Sequence, residues 1–408
     1  MIFDLDIRGH HPGYIQHLIK YWSEQELPGQ LDIVVSPKFV QKHSGIVDIA
    51  ADSSQGNIKF VPITLAEEAN LIDSQELDMS FTGRIKRGFQ EWKLIHKYAT
   101  SLNSDRCLLM YIDTILLRLS LGVRFPCSFS GIYFRPVFHY NSFTNYTPSK
   151  QELIWELRDK FCLSRLLKNS RLQTLFCLDP FAVEHINVLQ GKTTARYLPD
   201  PVQLYPASEN RLETLKNSLG INPNRKIFLL FGVLTKRKGI DNLLEAVASL
   251  PPELCQQLCL LLIGPSESGE QEKLQARVAQ ISQFLPIQII CRHDFITDEE
   301  IQPYFQISDV ILAPYQRHIG MSAILVRAAA AQKPVLCSDF GLMGEIARCY
   351  GLGLVVDSTK PSEIAKGLVR FLTESPENLC NSEKMQQFYQ QNLASKFAQT
   401  VFQHLQTI

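Results

Sequence analysis

Four short stretches carry residue types that could hold a phosphate or meet a sugar. "RGHHPGY" sets Gly9 and Gly13 around His10, His11 and Pro12. "FGVLTKRKGIDNLLEA" places Lys236, Arg237 and Lys238 directly before Gly239 and an apolar-periodic segment. "QRHIGMSAILVRAAAAQ" brings Gly320, Met321 and Ser322 to the start of an alanine-rich segment, and "CSDFGLMGE" adds Gly341, Gly344 and Glu345. Glycine lets a backbone approach a ligand closely, and free N–H groups at a helix start bind anions. Adjacent cations at the positive end of a helix are unfavourable unless an anion joins them. A diphosphate would be such an anion. Bland alternatives stand beside each reading: a turn with two exposed histidines, a solvated basic turn, a structural βα connection. The last explains Ala323 and the run Ala328 to Ala331, but not the Arg-His-Ile-Gly-Met-Ser stretch before them. Glu345 could accept from a hydroxyl or simply begin a helix.

These loops matter only if strands hold them. Runs rich in branched and aromatic residues recur from end to end. They are IFDLD, QLDIVVS, NIKFVPI, RCLLMYID, SGIYFRP and LQTLFCLD in the first half. The second half has KIFLLFGVL, LCLLLIG, IQIICR, DVILAPY, PVLCSD and GLVVD. Longer polar–apolar segments lie between most of them, which is the alternation of a parallel sheet wrapped by helices. Ile240, Leu243, Leu244 and Val247 share one helical face, as do Ile364, Leu368 and Phe371 after Pro361.

With 408 residues the chain exceeds one ordinary core. Pro199, Pro201 and Pro206 break regular structure midway. The expected layout is one domain over 1–199, a second over 200–380, and a helix over 381–408 that could bridge them. Phe388, Leu393, Phe397 and Phe402 are the apolar members of that helix. The fold class is α/β, with two Rossmann-like doubly wound domains facing across a cleft. Ligands of such sheets bind at the carboxyl ends of the strands, so the four loops fall where binding is expected.

Composition narrows the function classes. Lys plus Arg equals Asp plus Glu at 41 each, which argues against a general nucleic-acid binder. No apolar run approaches the roughly 20 residues of a membrane span, and the start lacks the pattern of a signal peptide. The ten cysteines are scattered without C-x-x-C spacing, so they read as reduced core thiols of a cytoplasmic protein and no metal site is expected. G-x-S-x-G, H-E-x-x-H and the P-loop pattern are absent.

Taken in order and spacing, "FGVLTKRKGIDNLLEA", "DVILAPY", "IGMSAILVRAAAAQKPVLCSDFGLMGEI" and "GLGLVV" resemble the C-terminal domain of GT-B glycosyltransferases of the retaining family 4 (group 1) type. The strong resemblance covers about 225 to 375. "YLPDPV" is similar to the family's interdomain segment and "RGHHPGYIQHLIKYW", more loosely, to its N-terminal glycine turn and helix. The resemblance implies transfer of a sugar from a nucleotide-diphosphate donor, with retention, without a cofactor or metal. Its diphosphate-binding lysine falls on Lys238. The arginine usual two residues after the strand falls on Val233, and Lys236 or Arg237 could substitute. Its phosphate turn falls on Gly320, Met321 and Ser322, and Gly9 and His10 fall in the glycine turn facing donor phosphates or acceptor. Two glutamates usual in the family fall on Ile319 and Arg327, so ribose recognition must be rebuilt around Arg327, the donor must differ, or activity is lost. Asp113, after RCLLMYI, could orient acceptor or sugar, or cap a helix. The acceptor would belong to polysaccharide or glycoconjugate synthesis. The alternatives are a non-catalytic nucleotide-sugar-binding or partner-binding homologue and a sugar-phosphate-forming phosphorylase.

"FTGRIKRGFQEWKLIHKY" sets Arg84, Lys86, Arg87, Lys93 and Lys97 apart from Ile85, Phe89, Trp92 and Ile95. A basic amphipathic helix can rest on an anionic membrane, which would suit a lipid-linked acceptor and peripheral contact at the inner face. The simpler expectation is that its apolar face packs on the first sheet.

Overall fold

The computed structural model describes residues 1–53, 56–72, 81–143, 146, 148, 150–205, 207–266 and 269–406, and Pro206 lies outside them. In these residues the alternation becomes two separate parallel sheets. β1 (Ile2–Phe3), β2 (Leu31–Val35), β3 (Ile58–Pro62), β4 (Arg106–Leu109), β5 (Ser128–Tyr133), β6 (Leu172–Cys177) and β7 (Ala195–Tyr197) lie in the order β3-β2-β1-β4-β5-β6-β7. β8 (Lys226–Phe231), β9 (Leu258–Ile263), β10 (Gln288–Arg292), β11 (Val310–Ala313), β12 (Val335–Ser338) and β13 (Gly353–Val356) lie in the order β10-β9-β8-β11-β12-β13. Every pairing is parallel. Each run expected to be a strand overlaps one, although β5 begins two residues before SGIYFRP. Only β7 escapes the sequence reading, because its three residues run straight into the prolines.

Both faces of each sheet are covered, as parallel sheets require. Successive residues of the first sheet feed opposite cores. Ile2, Ile33 and Leu108 join a cluster with Ile15, Leu18 and Phe397, whereas Phe3, Val34 and Leu109 join one with Trp92, Phe129 and Leu166. This is the two-residue period of a strand expressed as packing. In the second sheet all six residues of β9 are buried.

The chain divides into two compact units: Met1–Asn141, Thr147–Pro201 and Ala394–Ile408 in one, Ser142–Tyr146 and Val202–Leu393 in the other. The stretch read as one terminal helix is two, Ser382–Gln391 and Ala394–Gln406. The break has a local cause. Asn392 is buried, its side chain donates to the Phe388 carbonyl, and its own carbonyl accepts from Val202 N–H. The last helix belongs to the first unit, with Phe397 and Phe402 in that core.

Helix Phe81–Ser101 turns its apolar face inward. Trp92, Ile95 and Tyr98 are core residues, and the Arg118 guanidinium lies 4.9 Å from the Phe89 ring. Arg87 is buried with Glu91 at 2.6 Å and donates to the Ile72 carbonyl. Of the apolar face, Trp92 and Ile95 are thus core residues while Ile85 and Phe89 are half-buried, and among the described residues no helix is long and apolar enough to cross a membrane.

The first unit also contains a titrating strut. Tyr14, from helix His11–Glu24, donates its hydroxyl to the Asp200 carboxylate. Withdrawal from water pushes the Asp200 carboxyl up to about 6, against the Tyr14 hydrogen bond. The folded form thus holds the proton more tightly than the unfolded form, and this group's contribution to stability falls as pH rises from about 4 to 6. Asp200→Asn keeps an acceptor for Tyr14 without the charge. It should raise stability at pH 7 by ~1–2 kcal/mol and flatten the slope between pH 4 and 6, read by urea denaturation. An unchanged slope would contradict the assignment.

Candidate functional site

Strand order reverses once in each sheet, between β1 and β4 and between β8 and β11. At such a switch point the connections leave on opposite sides of the sheet and open a crevice at the strands' carboxyl ends. Three of the four sequence-derived loops follow the strands at these two places, and the fourth follows β12.

In the second unit, β8 leads through Gly232 into a short 3₁₀ turn, Lys236–Lys238, and then through Gly239 into helix Ile240–Ala248. Gly239 has φ +76°, and a Cβ there would lie 2.1 Å from the Pro314 carbonyl oxygen. Only glycine allows the basic turn to press against the loop after β11. Gln316 N–H seals the contact on the Arg237 carbonyl at 2.8 Å.

Lys238 is buried, while Lys236 and Arg237 are exposed. The Lys238 ammonium donates to the Phe231 carbonyl at 2.8 Å and to the Tyr315 hydroxyl, and lies 4.3 Å from the Tyr315 ring centre. All these partners are neutral. The Tyr315 hydroxyl is in turn 3.4 Å from Ser322 Oγ. Arg237 reaches His318 Nδ1 at 3.2 Å, and His318 Nε2 meets the Met321 carbonyl at 3.2 Å. Lys238, Arg237, Met321 and Ser322 are thus joined through Tyr315 and His318, two residues that the sequence reading passed over. Tyr315 stands just past β11, which is the signal that could have marked it.

Gly320 lies in the same turn, with the nearest atom to its would-be Cβ, His318 Nε2, at 3.9 Å. Ser322 is the extended N-cap of helix Ala323–Ala330 and makes no side-chain cap bond, so its hydroxyl leaves the first helical amides uncapped, although Leu325 N–H bonds the Ser322 carbonyl at 3.0 Å. The loop after β12 closes on this turn, since a Cβ on Gly341 would lie 2.9 Å from the carbonyl oxygens of His318 and Ile319. Glu345 is taken by Arg348 at 2.6 Å. That favours the reading in which it belongs to its own helix. Arg327 is buried. Its Nη2 lies 3.6 Å from Asp298, its Nη1 makes no hydrogen bond, and burial holds its pKa below the usual arginine value.

In the first unit, Gly9 (φ +61°) and His10 lead into helix His11–Glu24 at the rim of a cavity of about 500 Å³. His10 stacks on Phe134 at 4.6 Å and on His11 at 4.6 Å. Partial withdrawal from water, then His11 and Arg135, hold His10 below the usual histidine value, so it serves as a neutral aromatic plate. Asp113 also lines the cavity, but it is not a helix cap. Its two oxygens accept from the N–H groups of Phe134 and Arg135, each at 3.0 Å, tying the loop after β4 to the end of β5. Loss of water pushes it up to about 6, against those bonds. His11 also lines it, as do Asp4, Tyr111 and Phe134, which were not marked by sequence.

Gly239→Ala should cost about 2 kcal/mol or more, because it combines a left-handed backbone with a clash against Pro314. Chemical denaturation is the measure. A cost equal to that of an exposed glycine in open space, such as Gly29→Ala, would contradict the close approach.

Residues 212–392 match the family model described as "Glycosyl transferases group 1". The lipopolysaccharide glucosyltransferase WaaG of Escherichia coli is 25% identical over 181 residues, 44% of this chain and 46% of that protein. The match spans less than half the length of the curated relatives. Among solved structures, sucrose-phosphate synthase from Thermosynechococcus elongatus has a TM-score of 0.67 at 15% identity, covering 98% of this chain and 96% of that one. Anabaena HepE, solved in complex with UDP and glucose, has a TM-score of 0.64 at 13% identity, covering 100% and 99%. These likenesses extend over both units and identify the fold as GT-B.

Proposed function

We propose, from the match of residues 212–392 to the family model of the group 1 glycosyl transferases, that this chain moves a sugar from a nucleotide-diphosphate donor to a hydroxyl acceptor in glycoconjugate or polysaccharide synthesis. One observation carries the reading. Lys238 is a buried ammonium whose partners are a carbonyl, a hydroxyl and an aromatic face, so its charge is uncompensated. A buried charge is costly unless an anion joins it, and the adjoining turn offers free helical amides. A diphosphate fits both demands.

The mechanism follows from where charge develops. Breaking the bond between the anomeric carbon and phosphate builds positive charge on the sugar and negative charge on the leaving diphosphate. Lys238 and the amides after Gly320, Met321 and Ser322 stabilise the leaving charge more than the ground state, which is what lowers a barrier. Arg237 and Lys236 add a screened positive field at the rim. Arg327 has donors only, so it cannot accept from ribose hydroxyls, and its Nη1 is buried. Retention is the stereochemistry that the resemblance implies, through attack on the leaving-group face without a metal.

UDP-, GDP- and ADP-sugars should be screened by thermal shift and then for turnover, UDP donors first. Lys238→Ala should weaken binding of the accepted donor about 10- to 100-fold, a loss of ~1.4–3 kcal/mol, and lower turnover with it. Calorimetry and kinetics unchanged by the substitution would sink the assignment. Binding without transfer or hydrolysis would point to a non-catalytic homologue. Proton NMR of the product's anomeric centre decides retention.

A further inference from the structure

Helix Lys150–Leu166 is apolar on two sides, and the core of the first unit uses only one of them. Cys162, Leu163 and Leu166 are buried in that core. On the opposite side Ile154, Leu157 and Phe161 recur at i, i+3 and i+7 and so form one row, 66%, 69% and 63% exposed. Leu153 flanks the row and is also exposed. The loop 121–124 lies against the end of the same helix. Arg165 Nε donates to the Ser120 carbonyl and Asn169 Nδ2 to the Val123 carbonyl, each at 3.4 Å. That loop adds an exposed Leu121. Exposed apolar residues scattered singly are ordinary, but a contiguous set marks a face that something covers.

The exposed charges of this helix have one sign. Lys150, Lys160 and Arg165 are exposed along it, Lys168 follows directly after it, and Arg124 joins them from the loop. The acidic residues Glu152, Glu156 and Asp159 recur at i, i+4 and i+7 on the inward side. Glu156 and Asp159 are buried, and Asn141 and Arg158 engage them. Two copies meeting through this face about a two-fold axis would set its cations against themselves. An anionic lipid surface suits both features. Isoleucine, leucine and phenylalanine enter the acyl boundary, while lysine and arginine stems carry their charges to the headgroups.

We propose that this outward face of helix Lys150–Leu166, with Leu121 beside it, docks the chain on an anionic lipid bilayer. The helix lies in the plane of the interface, with its apolar row down and its cations at headgroup level. The inference stands apart from the transferase reading, since every residue it uses belongs to the first unit. It also moves the membrane face away from helix Phe81–Ser101, whose Trp92 and Ile95 serve the core. Sequence favoured that helix because its apolar residues keep to one side. Helix Lys150–Leu166 hides its second side, because apolar residues needed by the core lie between those that are exposed. The inner side of the docking helix gives Trp155 and Asp159 to the wall of the cavity of about 500 Å³. Docking therefore holds that cavity one helix diameter, ~10 Å, from the headgroups.

The test is co-flotation of the full chain with vesicles of phosphatidylcholine, alone or with about a third phosphatidylglycerol. The chain should float with the anionic vesicles and bind the neutral ones about 10-fold more weakly or worse, and about 0.5 M salt should remove the difference. Leu157→Ser combined with Phe161→Ser should weaken binding to anionic vesicles about 10-fold or more, and Lys160→Glu combined with Lys168→Glu should do the same. Leu65→Ser changes an exposed leucine beyond the edge strand β3 and should leave binding within about twofold of wild type. A wild-type chain that ignores anionic vesicles overturns the proposal. So does binding that survives the Leu157→Ser, Phe161→Ser change, or a loss that Leu65→Ser reproduces. A dimer in analytical ultracentrifugation that the same double change abolishes, in a chain that does not float, gives the face to a second copy instead. Should the apolar variant fail to fold, the Lys160→Glu, Lys168→Glu pair decides, and unchanged flotation of that pair overturns the docking face. A chain that floats as expected yet is inert toward every sugar donor overturns the transferase reading alone.

Discussion

Each half of this chain is organised by the point where its sheet reverses strand order. Parallel strands need crossovers, and crossovers of one hand force successive helices to opposite faces on either side of the first strand. The loops after β1 and β4, and those after β8 and β11, therefore part from one another. In the second unit the parted loops are drawn back to bonding distance at one place, where Gly239 meets Pro314 without a Cβ between them. The burial of Lys238, its bond to Tyr315 and the link onward to Ser322 all depend on that approach.

The two units divide the chemistry by charge. The second gathers cations and helix amides with neutral partners, the surroundings a leaving diphosphate needs. The first gathers carboxylates, imidazoles and aromatic faces around one cavity.

How much of this could be read from sequence follows from range. The strands were legible because burial on both faces is a local property, written in runs such as LCLLLIG. The basic turn was legible because cations, glycine and an amphipathic helix are contiguous. Contacts across the fold were not. Tyr315 became a partner of Lys238 only through an approach spanning 77 residues, and nothing next to it announces this. Asp113 could be placed after its strand, but its bonds to Phe134 and Arg135 N–H required the pairing of β4 with β5. The tail looked continuous because the bond from Val202 N–H to the Asn392 carbonyl joins residues far apart in sequence.

The neutral cage around Lys238 has a consequence for selectivity. A lysine paired with a carboxylate must shed that partner before it accepts a phosphate, and such an exchange discriminates among anions. Lys238 has nothing to shed, since a carbonyl and a phenol can stay in place when the anion arrives. On the transferase reading, its grip is indifferent to which sugar or base hangs from the diphosphate. It would hold the more highly charged spent nucleotide at least as tightly as the loaded one, so departure of the product would compete with arrival of the next donor. Choice among donors must then be made at the two ends of that molecule, and the phosphate site would act as an anchor rather than a reader.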